Sequence, residues 1–196
     1  MVRNYLPEPV ERAVLERIVE AGRRAPSAGF SQGQSFIVVT DQASRAAIAL
    51  LANEDEYVGA GFDPWISRAP AHIVVCVSEA DYHRRYQEPD KISPDGTEIT
   101  WPVPYWWVDA GAALMLILLA AVNEGLACGF LGVHSIPGLQ DLLGIPQETV
   151  PIGVVTIGSP APDRRSGSLG RGRRAGQVHW EGWEETPQRA GTHVTR

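Results

Sequence analysis

Residues 106–135 read WWVDAGAALMLILLAAVNEGLACGFLGVHS, and the fold turns on how this stretch is taken. From Ala110 to Asn123 no side chain is charged, and Ala112, Leu114, Leu116, Ile117, Leu118, Leu119, Ala121 and Val122 leave no polar side on a 3.6-residue wheel. A helix that is apolar all round must be covered all round. A bilayer span needs ~20 apolar residues, more than this run offers, so the cover has to be protein. Asp109 stands where an N-cap would accept from the first backbone N–H groups, and Gly125 where a left-handed residue would end the helix. Leu126 to Val133 is apolar and punctuated by glycine, which predicts a buried strand packed behind the helix.

Working outward, the remaining chain reads as wrapping. Pro9 starts a helix through about Arg24, with Val10, Ala13, Leu15, Ile18, Val19 and Ala21 on its apolar side. Residues 24–35 form a loop, Phe36 to Thr40 a strand, and Gln42 to Asn53 a helix capped by Asp41. Between Asn53 and Arg68, Trp65 and Ile66 mark a short helix that ends before Pro70. His72 to Val77 is a continuous apolar strand, the kind found where both faces of a sheet are covered. Periodicity fails from Glu79 to Tyr105, and residues 82–107 are read as an irregular insertion or lid. Pro137 to Leu143 predicts a short helix closed by Gly144, and Val150 to Gly158 the last strand. Residues 160–196 read as a C-terminal arm anchored by Trp180 and Trp183. At 196 residues the chain has room for one domain, and its two proline-marked arms favour an intertwined dimer.

Composition narrows the chemistry. A net charge of −6 argues against nucleic acid, whose phosphates need a basic surface. Cys76 and Cys128 lie within apolar runs, as small hydrophobes do, and nothing at the start resembles a leader, so a reducing, cytoplasmic setting away from membranes is expected. His72, His83, His134, His179 and His193 show no metal-ligand spacing with the cysteines, so no metal is expected. There is no G-x-S-x-G elbow, P-loop or G-x-G-x-x-G after a strand. An enzyme with this sequence would draw its reactivity from a cofactor.

Three segments have the residue types to hold an anion and a flat ring. Arg23, Arg24, Pro26, Ser27, Ala28, Gly29, Ser31 and Gln32 form a turn whose hydroxyl and amide groups could grip a polar ligand edge, or a plain turn before a strand. In Gly125 to Ser135, Gly129 and Gly132 would admit a planar ligand to the backbone, though close helix–strand packing explains them equally. Arg164, Arg165, Arg171, Arg173 and Arg174 suit a phosphate or a solvated loop.

As an ordered set these segments point further. RRAPSAGFSQGQSFIVV (23–39), then DAGAA…LLAA…GLACGFLG (109–132), then IGVVTIGSP (152–160), resemble the FMN-dependent nitroreductase family from Arg3 to about Trp183. The resemblance implies an α+β, three-layer α/β/α fold with a mixed sheet around a buried central helix. It also implies an obligate homodimer with FMN in two interface clefts and ping-pong hydride transfer from NADH or NADPH to a small planar acceptor, such as a nitroaromatic or quinone. By position, Arg3 matches the second basic residue of the family's N-terminal phosphate motif, whose first usually stands two places before Met1. Ser27 and Gln32 fall where the family contacts the flavin, with Pro26, Ala28 and Gly29 shaping the turn. Leu131, Gly132 and Val133 match the stretch whose backbone amide faces the flavin N5, and Arg171 and Arg173 lie where the C-terminal arm holds phosphate. Phe30 replaces the family's usual Asn and Gly33 its usual Pro. The run WPVPYWW (101–107) has no family counterpart; Trp101, Tyr105 and Trp106 are either a substrate-stacking lid or an aromatic anchor at the dimer interface. Two alternatives stay open: a flavin-fragmenting or dehalogenating branch of the superfamily, and a non-catalytic protein that stores flavin.

Overall fold

Every residue of the strand β2 (Ala71–Val77) is buried, so both of its faces are covered. Successive side chains point to opposite faces. Ile73 and Val75 join Val155, Ile157, Ile18, Ile117 and Ala121 on one side, whereas Val74 and Cys76 join Val154, Ile48, Ala49, Trp65, Ile66 and Leu139 on the other. The structure, a computed structural model, describes residues 2–163, 170–172 and 178–183. The chain divides into two units, Met1–Asp163 and Arg164–Arg196, and the sheet belongs to the first.

Four strands lie in the order β1 (Gln34–Val39), β2, β4 (Val150–Gly158), β3 (Ala127–Gly132). Where a mixed sheet was expected, every pairing among the described strands is antiparallel. The reason is topological. β2 and β3 run the same way, but β4 slots between them, and β2 likewise separates β1 from β4. No parallel neighbours are left.

The layers are helical on both sides. Helix α1 (Arg12–Arg23) and the long helix α5 (Tyr105–Asn123) cover one face. Helices α2 (Gln42–Leu51) and α6 (Leu139–Leu142), with the turn carrying Trp65 and Ile66, cover the other. The short helix expected around Trp65 lies earlier, as α3 (Glu54–Gly59). Buried Glu54 reaches from α3 to accept the backbone N–H groups of Ile66 and Ser67, which holds that turn without helical bonds of its own. Asp41 caps α2 as expected, accepting from Ser44 N–H at 2.8 Å. Part of the expected insertion is also regular: α4 (Glu79–Tyr86) is a helix, and the irregular segment begins only at Gln87.

The central helix departs from its predicted start. Pro104 occupies the N-cap, so Asp109 sits one turn inside α5 and is free for other work. At 19 residues α5 is long and apolar enough, by length and composition, to cross a membrane, yet Ala113, Ile117 and Ala121 are fully buried against the sheet and α1. Gly125 takes the expected left-handed turn at φ 76°. The complete cover that an all-apolar helix demands is not present in one chain. Val108, Met115, Leu119 and Val122 form an exposed stripe.

Ile117 lies between α1 and the sheet with no exposure. Replacing it by Ala should lower stability by about 2–5 kcal/mol, through lost transfer energy plus a cavity that the surrounding layers cannot close. Urea unfolding followed by far-UV circular dichroism reads this as a lower midpoint at unchanged slope.

Candidate active site

The turn 27–33 enters the sheet at Gln34, and its backbone is costly. Gly29, Phe30 and Gln32 all take positive φ, at 60°, 61° and 53°. For Phe and Gln that conformation carries a penalty of order 1–3 kcal/mol each, which only surrounding contacts can sustain. Several contacts do so. Ala28 N–H donates to Asp109 Oδ2 at 2.8 Å, Arg85 Nε donates to the Gly29 carbonyl at 2.8 Å, and Gln32 N–H donates to Ser27 Oγ at 2.9 Å. Gly29 lies against the ring of Tyr86, where an added Cβ would come within 2.7 Å, and Gly33 against the ring of Tyr82 at 2.7 Å. No side chain larger than hydrogen fits at Gly29 unless the Tyr86 ring moves aside, and at Gly33 the Ser78 carbonyl oxygen, 2.8 Å from an added Cβ, blocks one as well. Pro26 and Gln32 are exposed.

Asp109, 8% exposed, accepts a second hydrogen bond, from the Tyr82 hydroxyl at 2.9 Å, and Tyr82 in turn accepts from the Gln34 amide at 3.2 Å. Burial and the bond to Asp109 drive the Tyr82 hydroxyl far above its ordinary range, so it stays a donor. Nothing in the residue pattern announced this pairing; the one signal was an acidic side chain at the head of an apolar helix.

Leu131, Gly132 and Val133 end β3 at the same end of the sheet as Gln34, since Gly132 pairs with Gly153 and Gln34 with Val77. Their side chains, however, serve the opposite face. Leu131 and Val133 pack with Trp65, whereas Ala28 packs with Val77, Tyr82, Trp106 and Ala110. On that opposite face the N-terminal arm runs beside β3, with Val2 N–H donating to the Cys128 carbonyl. Arg3 lays its guanidinium 5.5 Å from the centre of the Trp65 ring and reaches the Tyr57 hydroxyl at 3.4 Å. An added Cβ on Gly129 would come within 2.8 Å of Trp65, so close packing accounts for that glycine. One chain therefore gathers Ser27, Ala28 and Gln32 on one face, and Arg3 with Leu131 to Val133 on the other. Arg171 lies in the second unit, and Arg173 falls outside the described residues.

The aromatic run divides. Trp106 is 7% exposed and packs with Tyr82 and Ala110, its indole N–H without an acceptor. Trp101 is half-buried and donates to Glu98 Oε1 at 2.6 Å, while its ring meets Tyr86 edge-on at 4.5 Å. Of the three residues Tyr105 alone is exposed. Glu98 also pairs with His83 Nδ1 at 2.7 Å, which pins the irregular segment to α4. The thiols are unreactive: burial pushes Cys76 up to about 11, and raises Cys128 as well. A groove of about 1320 Å³ runs along α1, lined in part by Val10, Leu15, Val19 and Val38; it takes in Arg23 and Arg24 of the 23–32 segment but none of the residues that the resemblance assigns to the cofactor.

With this geometry in place, comparison with known proteins is informative. The Nitroreductase family model matches residues 1–159. The FMN reductase (NAD(P)H) of Bacillus subtilis (strain 168) is 32% identical over 167 residues, covering 82% of this chain and 62% of that protein. The oxygen-insensitive NADPH nitroreductase of Salmonella typhimurium is 29% identical over 82% of this chain and 62% of its own length. This chain thus spans less than two thirds of either relative. Among solved structures, the oxidoreductase YcnD of Bacillus subtilis superposes with a TM-score of 0.70 at 27% identity, covering 94% of this chain and 71% of that one.

The His83–Glu98 tie sets a pH window. The hydrogen bonds that His83 donates to Glu98 and, more weakly, to Glu79 raise it above its ordinary 6.5, so its contribution is complete below that value and fades as pH climbs through the raised one. For Glu98, burial acts upward, but the bonds from Trp101 and His83 outweigh it and bring the carboxyl below its ordinary 4.5, so its share persists above 4.5 and fades in acid. Amide exchange across residues 97–103, corrected for intrinsic rates, should be slowest between those values and faster well above neutrality. In His83→Gln the alkaline loss should disappear.

Proposed function

Since the chain belongs to the nitroreductase family, we propose that it is an FMN-dependent oxidoreductase that draws on NADH or NADPH to reduce a small planar acceptor of nitroaromatic or quinone type. The observation that supports this most is the 27–33 turn. It keeps two non-glycine residues in left-handed backbone, and it leaves the Gln32 side chain exposed. Strain of this kind concentrates at ligand-receiving sites. The donors present suit the cofactor: the Ser27 and Gln32 side chains for a polar ring edge, and the Arg3 guanidinium, which among the described residues has one long hydrogen bond, for phosphate. Arg171 and Arg173 are assigned to the same phosphate by their place in the sequence.

When bound, FMN supplies the hydride chemistry, accepting from the nicotinamide and giving to the acceptor. The chain's part is to orient and to exclude water. Backbone groups at Leu131 to Val133 and the 27–33 turn would hold the ring, and arginine guanidiniums would neutralise its phosphate. Of the three aromatic candidates we assign the exposed Tyr105 to the acceptor, while Trp101 and Trp106 pack in the cluster that braces the turn.

The working unit in this reading is a homodimer. The cofactor residues lie on two faces of one sheet, and the stripe Val108, Met115, Leu119 and Val122 is apolar and uncovered. A second copy laid along α5 covers the stripe and places one chain's 27–33 turn beside the other's β3 end. The acidic surface and the buried, unreactive cysteines fit a cytoplasmic enzyme that acts on small molecules rather than on nucleic acid or a membrane.

Two experiments test the reading. The chain purified with FMN should be yellow, and anaerobic NADPH or NADH should bleach the visible flavin band, with a quinone restoring it. Stoichiometric destruction of FMN with oxygen would mark the fragmenting branch, and tight binding without reduction a storage protein. Leu119→Arg should convert the dimer to monomer at micromolar concentration in analytical ultracentrifugation, and FMN retention should fall with it. A monomeric variant that keeps its FMN would remove the shared cleft.

A further inference from the structure

Among the described residues Asp109 caps no helix and joins no ion pair. It is nonetheless buried, and one carboxylate oxygen, Oδ2, receives both Ala28 N–H at 2.8 Å and Tyr82 O–H at 2.9 Å. A carboxylate withdrawn from water is expensive unless hydrogen bonds compensate. These two do, and both come from the apparatus around the 27–33 turn. Ala28 is the first residue of the 3-10 turn Ala28–Phe30. Its N–H has no partner within that turn, and Asp109 takes it up. Tyr82, held by Asp109, presents its ring to Gly33 and its oxygen to the Gln34 amide. From α5, one side chain thus holds the turn at Ala28 directly and at Gly33 and Gln34 through Tyr82.

We propose that Asp109 is the positioning residue of the cofactor-receiving turn: its carboxylate, accepting from Ala28 N–H and oriented by Tyr82, fixes the left-handed backbone that presents Ser27 and Gln32. This rests on the reading of 27–33 as the flavin-contacting turn. The role is indirect, since Asp109 acts through the backbone it holds. Asn at this position keeps an acceptor for Ala28 N–H, and its amide can donate to the Tyr82 oxygen. Ala keeps neither.

The test compares wild type, Asp109→Ala, Asp109→Asn and Tyr82→Phe in two measurements. The first is backbone amide exchange of the flavin-free protein. Ala28 N–H should exchange about tenfold faster or more in Asp109→Ala, while the amides of Val74 and Val155 in the sheet stay protected, and Asn should restore the Ala28 rate to within about threefold. The second is FMN affinity by fluorescence quenching. It should weaken at least about tenfold in Ala, recover in Asn, and fall to an intermediate value in Tyr82→Phe. A loosened Ala28 amide with unchanged FMN affinity overturns the proposal, as does an Asn variant no better than Ala, or an Ala28 amide indifferent to position 109. If wild type binds no FMN, the reading of the turn fails instead, and the exchange data still show whether Asp109 anchors it.

Discussion

Burial of β2 on both faces is the constraint from which the rest of the molecule follows. Seven consecutive residues without water contact require two helical layers, and strand alternation assigns each residue to one layer or the other. The antiparallel order then brings the start of β1, the end of β2, the start of β4 and the end of β3 to one edge of the sheet. The 27–33 turn and the segment 131–133 leave that edge for different faces, because each follows the face its own side chains pack on. Two parts of a site that lie so near in topology are thereby separated by the thickness of a sheet.

That separation bears on the exposed stripe of α5. Leaving Val108, Met115, Leu119 and Val122 in line against water is unfavourable, at roughly 25 cal/mol for each Å² of apolar surface left uncovered. The same helix carries Asp109 at its other flank, in contact with the turn. In the proposed dimer, apolar cover for the stripe and completion of the proposed site would fall to one and the same partner surface. An arrangement of this kind couples assembly to ligand binding, since anything that binds only the assembled form stabilises it by mass action.

Much of this was legible in the residues. The strand Val150–Gly158 carries its boundaries in its composition, as does the end of α5 at Gly125, where only a left-handed residue closes the turn. Asp41 could be read as a cap because Ser44 follows at the right distance. Asp109 misled for an instructive reason: a lone acid before an apolar run has the look of a cap, but Pro104 starts the helix a turn earlier and the aromatic residues 105–107 continue it. The helix α4 was hidden by its charge pattern, which stabilises it through pairs such as Arg84–Asp81 rather than by a broad apolar side. The opposite-face placement of the two site segments depends on register, and register between distant strands is not written in any one of them. Why Phe stands at position 30, 73% exposed, is a matter the residue pattern leaves to the geometry of the turn.

That geometry also explains why the chain carries an irregular segment at all. A turn with Phe30 and Gln32 in left-handed backbone would relax if nothing opposed it, and the opposing contacts come from Arg85, Tyr86 and Tyr82 on α4 and from Asp109 on α5. α4 is eight residues long, too short to hold its own shape in water. It is braced in turn by Trp101 against Tyr86, Trp106 against Tyr82, and Glu98 on His83. Residues 87–104 therefore act on the site at second hand, by fixing the helix that fixes the turn. This ordering gives Trp101 and Trp106 one role, the rigidity of the turn, and leaves Phe30 and Tyr105 as exposed aromatic side chains.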